Sequence, residues 1–157
     1  MSIVIFASFA WLIMILFVYM PKWLTIAEMI FLYFIVGIMT VTLFTILDVN
    51  LHWVPVTRKV EQSLALHLCR FIIIPFPVIM AASIFNSPLN IRRKWMIVAL
   101  LVFVLLVGDW LMQKFELIFF RHWSMVYSIF MYPAFIFLLS MISRLYRRLD
   151  GGGIKQS

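Results

Sequence analysis

The chain has 157 residues, of which 66% are hydrophobic and only 12% are charged, and its mean hydropathy is +1.11. A soluble globular domain is about half apolar and about a quarter charged, so this composition excludes that class. The formal net charge of +7 does not indicate nucleic-acid binding, because the basic residues lie in short connections and near the C-terminus without an aromatic and basic recognition motif. We therefore predict an all-α, polytopic integral membrane bundle of about five transmembrane helices.

The first predicted span covers residues 3–20 and is followed by Pro21-Lys22-Trp23, which has the composition of a membrane interface. No Lys or Arg precedes this span, and it has no small-residue cleavage pattern. We therefore expect a membrane-spanning helix here rather than a removable signal peptide.

The second predicted span covers about residues 24–47, and its far end carries a polar pattern. Thr45, Asp48 and His52 are spaced at i, i+3 and i+7, so they share one helical face if the helix continues through His52. The alternative is an ordinary helix end at the membrane interface.

The third predicted span, about residues 63–85, contains the stretch Leu66–Val78, which places Arg70 and His67 in a run of apolar residues. A charge at membrane depth must face the protein interior or water and find a partner, so we expect the other spans to converge here. Pro75 and Pro77 lack amide hydrogens and should bend or unwind the helix, which leaves carbonyl groups in need of other partners.

The fourth predicted span covers residues 95–114, after the basic connection 86–94. Asp109, Met112 and Glu116 are spaced at i, i+3 and i+7, which gives its last turns a polar face.

The fifth predicted span covers residues 124–142, has Ser124, Ser128 and Tyr132 on one stripe, and contains a kink at Pro133. Residues 1–143 then form a single bundle, and residues 144–157 form a basic, flexible cytoplasmic tail.

Five spans place most of the Lys and Arg residues in the connections of one side. The positive-inside rule then predicts an N-terminus outside and a C-terminus in the cytoplasm. On the cytoplasmic side we expect contacts with anionic lipid headgroups. The residues expected to make them are Arg92, Arg93, Lys94, Arg144, Arg147 and Arg148.

This orientation places Arg70 and Asp109 at similar depths, about 10 Å and about 8 Å below the outer ends of their spans at 1.5 Å per residue. The sequence therefore predicts a buried ion pair between Arg70 and Asp109 in the outer half of the bundle. The polar cluster expected around this pair also contains His67, Glu116, Asp48, His52 and His122.

Three functions fit such a cluster. The first is a non-enzymatic structural or accessory role, in which the polar layer specifies helix neighbours and the protein binds another membrane protein or a second copy of itself. The second is a small transporter or channel subunit, with a polar vestibule above Pro75 and Pro77 and proton-linked titration of His67 or Asp109.

The third function is a membrane-embedded, metal-dependent enzyme that uses the three histidines. The sequence has no H-E-x-x-H, C-x-x-C or G-x-S-x-G motif, so we expect no catalytic residue, no metal and no cofactor. The lone Cys69 is expected to be a small, buried packing residue.

The second half of the chain carries a series of short motifs: Gly108-Asp109-Trp110, Glu116, His122-Trp123-Ser124 and Tyr127-Ser128 before the final proline-bearing span. This pattern resembles the small multi-pass membrane proteins of unknown function found in spore-forming Gram-positive bacteria. The resemblance implies a helical bundle in a bacterial inner membrane, and it carries over no activity and no site.

Overall fold

The computed structural model describes residues 2–53, 60–118 and 124–153, with side chains up to residue 149. Its elements are α1 (Ser2–Tyr19), α2 (Ile26–Thr45), α3 (Val60–Leu68), α4 (Pro75–Phe85), α5 (Ile91–Lys114) and α6 (Met125–Gly153). A π-helical turn, Ile46–Asn50, extends α2, and a second, Cys69–Ile73, lies between α3 and α4. The described residues contain no strand, which confirms the all-α prediction.

Within the described residues, five helical spans are long and apolar enough to cross a membrane, in agreement with the predicted number. They are Ser2–Tyr19, Ile26–Asn50, Val60–Phe85, Ile91–Lys114 and Met125–Leu149. The protein is therefore a small membrane protein built from one helical bundle.

The third span occupies the centre of this bundle. In its most apolar part 67% of the residues are buried, against 17% to 33% in the other four spans. α1, α2, α5 and α6 all pack against its segments α3, α4 or the π turn Cys69–Ile73. The expected convergence of the other spans on this part of the chain is therefore observed.

The surrounding helices each bury one stripe of side chains. On α2 this stripe repeats every fourth residue, and it consists of Glu28, Leu32, Val36, Thr40 and Phe44. The opposite faces are apolar as well: Phe34 on α2 is 64% exposed and Phe137 on α6 is 65% exposed. Exposed apolar side chains around the whole bundle suit a lipid environment.

The ends of the spans form two polar layers, which we call the basic end and the distal end. The basic end contains the starts of α2 and α5 and the ends of α1, α4 and α6, whereas the distal end contains the opposite termini. Contacts within each layer support this antiparallel order. At the basic end Asn86 donates to Ser143 over 3.2 Å, and at the distal end Gln62 donates to the carbonyl of Phe115 over 3.3 Å.

The third span changes helix type before its prolines. Pro75 has no amide hydrogen to donate to the carbonyl of Phe71, four residues earlier. The Tyr33 hydroxyl of α2 donates to this carbonyl instead, over 3.0 Å. The amide of Ile74 bonds the carbonyl of Cys69 at 2.9 Å, which is the wider π pattern. The chain thus stays helical, and α4 begins at Pro75.

The last helix extends beyond the predicted span. α6 is one helix from Met125 to Gly153 and includes Pro133. The boundary predicted at residue 143 is therefore not a helix end, because residues 144–153 continue α6. Side-chain packing explains the extension, because the ring of Tyr146 lies 4.9 Å from that of Phe31 on α2, between centroids. Residues 154–157 are outside the described part of the chain.

Candidate functional site

Asp109 lies on the buried stripe of α5 and is 4% exposed. The Tyr132 hydroxyl donates a hydrogen bond to its Oδ1 over 2.5 Å, and Ser128 is a second hydrogen-bonding partner. Tyr132 and Ser128 are four residues apart on the buried face of α6, and both are 1% exposed. We call this interhelical group the Asp109 cluster. It also includes the buried Cys69, whose electrostatic environment includes Asp109.

The predicted ion pair between Arg70 and Asp109 is not formed. The guanidinium of Arg70 instead stacks on Phe44 of α2, with Cζ 4.6 Å from the ring centroid. Asp48 is the carboxylate whose charge acts on Arg70. Among the described residues, no group bonds the buried Nε of Arg70.

The direction of neighbouring side chains explains why Arg70 and Asp109 do not form an ion pair. Successive residues of a helix point about 100° apart around the axis. Cys69 is turned towards Asp109 of α5, whereas the next residue, Arg70, is turned towards Phe44 of α2. A similar depth in the membrane therefore did not make Arg70 and Asp109 partners.

Two further predicted members leave the bundle at helix ends. His52 and Glu116 have φ angles of 51° and 57°, in the left-handed region. Such residues commonly end helices, and here they follow the π turn Ile46–Asn50 and α5. Both side chains are exposed. The predicted i, i+3, i+7 faces therefore stop before His52 and before Glu116, and neither residue joins Asp109.

His67 is exposed and points away from the Asp109 cluster. Its Nδ1 donates to the carbonyl of Ser63 over 2.7 Å, and its ring stacks on Phe71 with 6.2 Å between centroids. The partner of the His67 ring nitrogen is therefore a backbone carbonyl of its own helix. His122, the remaining predicted member, lies outside the described residues.

A second polar group, at the basic end, was missed by the sequence analysis. Thr25 and Glu28 form a reciprocal cap at the start of α2, in which the Glu28 amide donates to Thr25 Oγ1 over 3.2 Å and the Thr25 amide to Glu28 Oε2 over 2.8 Å. Glu28 is 3% exposed. Arg147 of α6 bonds it, with Nε 2.6 Å from Oε1. These residues with Trp23 and Ser83 are the Glu28 cluster.

The Glu28 cluster joins three spans. Nη2 of Arg147 also donates to the carbonyl of Trp23 over 2.6 Å, and the Trp23 amide donates to the hydroxyl of Ser83 on α4 over 3.0 Å. The T-x-x-E spacing of Thr25 and Glu28 is a sequence signal for the cap. The sequence instead predicts a lipid contact for Arg147, and nothing in the sequence singles this residue out as the partner of Glu28.

Concave surfaces are found on the outside of the bundle. One groove of about 450 Å³ lies beside α2 and the π turn, where it is lined by Tyr33, Phe34, Gly37, Ile38, Val41, Thr42 and Phe71. A groove of about 580 Å³ follows α6 towards the basic end. Within the described residues, no group of three His, Cys, Asp or Glu side chains is placed to hold a metal ion.

No protein-family model, no curated protein and no solved structure matches this chain. The resemblance to small membrane proteins of spore-forming Gram-positive bacteria therefore stays a prediction.

Proposed function

We propose that this membrane protein has a non-enzymatic, accessory role and binds another membrane protein through its apolar outer surface. The observation that supports this best is that its two buried carboxylates, among the described residues, bond side chains of neighbouring helices. Glu28 bonds Arg147 and Asp109 bonds Tyr132, so each one links two helices of the bundle. Contacts of this kind fix which helices are neighbours, and they leave the outer surface for a partner.

The core of the central span supports the same role. α4 buries a continuous run from Pro77 to Ile84, and Ala81 and Ala82 within it are fully buried, with 0% exposure. Small residues allow neighbouring helices to approach closely in a membrane. A tightly packed centre suits a scaffold whose interactions take place at its surface.

A transporter or channel subunit is the second candidate. Two buried polar atoms, Arg70 Nε and Thr40 Oγ1, have no hydrogen-bonding partner among the described residues. Buried polar atoms normally have one, so water or a polar solute near α2 would satisfy them. This observation concerns two atoms, whereas the accessory role agrees with the packing of all five spans.

Site-specific photocrosslinking tests the accessory role. Phe34 and Phe137 are matched positions, since they are 64% and 65% exposed on α2 and α6. A photoreactive phenylalanine at each position, introduced in the native membrane, should give a discrete protein adduct at one of them and lipid adducts at the other. Adducts with lipid alone from both faces would contradict the proposal.

Reconstitution separates the two candidates. The accessory role predicts that liposomes with the purified protein show the same proton and ion flux as empty liposomes. Flux that Asp109→Asn abolishes, with folding retained, would overturn the accessory role in favour of transport.

We also propose a bacterial inner membrane location, with the N-terminus outside and the C-terminus in the cytoplasm. The distribution of basic residues supports this orientation. Reporter fusions after Ser87 and at the C-terminus should both show cytoplasmic activity, and periplasmic activity at either site would reverse the assignment.

A further inference from the structure

We propose that the groove on α6 at the basic end is a binding site for an anionic phospholipid. It measures about 580 Å³ and is lined by Leu138, Met141, Ile142, Arg144, Leu145 and Arg148. The phosphate would lie between Arg144 and Arg148, and an acyl chain would follow the aliphatic residues towards the middle of the span. This inference is independent of the accessory role.

The order of the lining residues matches the order of groups in a phospholipid. Arg144 and Arg148 are four residues apart, so they lie on one side of α6, separated by about 6 Å along its axis. Leu138 and Met141 continue this side deeper into the span, and they are 42% and 59% exposed. The cationic part is therefore at the end of the span, and the apolar part extends into it.

The charge of this site is available to a ligand. Arg147, between the two groove arginines, is turned towards the Glu28 carboxylate at 2.6 Å. Arg144 and Arg148 are exposed, and neither forms an ion pair with a described residue. Guanidinium groups bind phosphate oxygens with paired, charge-assisted hydrogen bonds. The arrangement therefore favours an anionic headgroup over a zwitterionic one, in which a cation offsets the charge of the phosphate.

The apolar half of the groove favours a lipid over free phosphate. A soluble phosphate would contact only the two arginines, and the part of the groove beside Leu138 and Met141 would have to be filled by a different molecule. A phospholipid covers both halves at once, because its headgroup stays at the membrane interface while its chain lies in the hydrocarbon.

Native mass spectrometry of the purified full chain tests the proposal. The protein is presented with equal amounts of phosphatidylglycerol and phosphatidylcholine that carry the same acyl chains. We expect phosphatidylglycerol to be retained about tenfold more than phosphatidylcholine, which corresponds to about one charge-assisted hydrogen bond. The double variant Arg144→Gln/Arg148→Gln should lose most of this preference.

The control is Lys22→Gln/Lys114→Gln, which removes two exposed charges outside the groove. It should keep the preference within about twofold. An equal loss in both double variants would overturn the site, because it would show attraction by net charge alone. If the first double variant does not fold, Arg144→Gln and Arg148→Gln alone should each reduce the preference.

Two further measurements test the lipid itself. Met141→Asn should weaken binding of both phospholipids, because it changes the surface along the chain. Glycerol 3-phosphate should not displace phosphatidylglycerol at equal concentration. Displacement by this soluble phosphate monoester would contradict the proposal, because the groove would then be an anion site without an acyl contact.

Discussion

The Glu28 cluster and the region around Arg70 and Asp109 each contain a buried carboxylate and an arginine, yet only the first forms an ion pair. At the basic end Arg147 reaches Glu28 within 2.6 Å. Farther into the bundle Asp109 bonds Tyr132, and Arg70 stacks on Phe44. The difference shows that depth along a span does not determine the partner of a polar side chain inside the bundle. The direction of the side chain around the helix axis determines it.

Position in the span explains why the two regions behave differently. Arg147 lies near the end of its span with 40% of its side chain exposed, so its long side chain extends along the interface to Glu28. Arg70 leaves a helix in the packed centre, where neighbouring side chains limit its direction. The two regions therefore respond differently to substitution.

The largest expected effect is that of Arg147→Leu, which leaves the Glu28 carboxylate buried without its cation. We expect the free energy of unfolding in bicelles to fall by about 2 kcal/mol, less than for a fully buried pair because Arg147 is partly exposed. The control Arg148→Leu should cost less than about 0.5 kcal/mol. Glu28→Gln should recover part of the loss in the Arg147→Leu background, and no recovery would show that the pair is not its cause.

The next effect concerns the close packing of α5, at Gly108, against the π turn Cys69–Ile73 and α1. A Cβ at Gly108 would lie 3.4 Å from Ile73 Cγ2 and 3.7 Å from Phe9 Cε1, whereas a Cβ at Gly37 would meet nothing within 4 Å. Gly108→Leu should therefore destabilise the protein by about 1.5 kcal/mol through overpacking. Gly37→Leu, measured by the same unfolding assay, should be tolerated. Equal effects would contradict the packing of α5 against the π turn.

The smallest effect is expected at the hydrogen bond between Tyr33 and the carbonyl of Phe71. Tyr33→Phe should cost about 0.6 kcal/mol, the average for a polar contact between membrane helices. In a Pro75→Ala background the new amide offers this carbonyl a partner, so the same substitution should cost less. Thermal unfolding in detergent compares the four variants, and an unchanged cost would show that Pro75 does not free this carbonyl.

The number of spans was predictable from the lengths of the apolar segments. The central position of the third span was predictable from its intramembrane arginine, which must face the protein interior or water. The partner of Arg70 was not. Spacing along one helix places His67 and Arg70 on adjacent turns, but the contact between Arg70 and Phe44 depends on how two helices rotate against each other. The π turn Cys69–Ile73 also changes this rotation locally.

The ends of the polar faces were not predictable either. The spacing of Asp109 and Glu116 fits one helical face, but the left-handed φ of Glu116 ends that face first. Glycine is the residue that most often takes this conformation at a helix end, and neither end has a glycine, so neither end has a clear signal. The Glu28 cap did have one, the T-x-x-E spacing, whereas its pairing with Arg147 spans 119 positions of sequence.

A pair of double-mutant cycles on Asp109 tests the central claim, that direction around the helix sets the partners of buried polar residues. The first cycle combines Asp109→Leu with Tyr132→Phe, and the second combines Asp109→Leu with Arg70→Met. We expect a coupling free energy of about 1 kcal/mol in the first and less than about 0.5 kcal/mol in the second. A larger coupling of Asp109 with Arg70 than with Tyr132 would contradict the account.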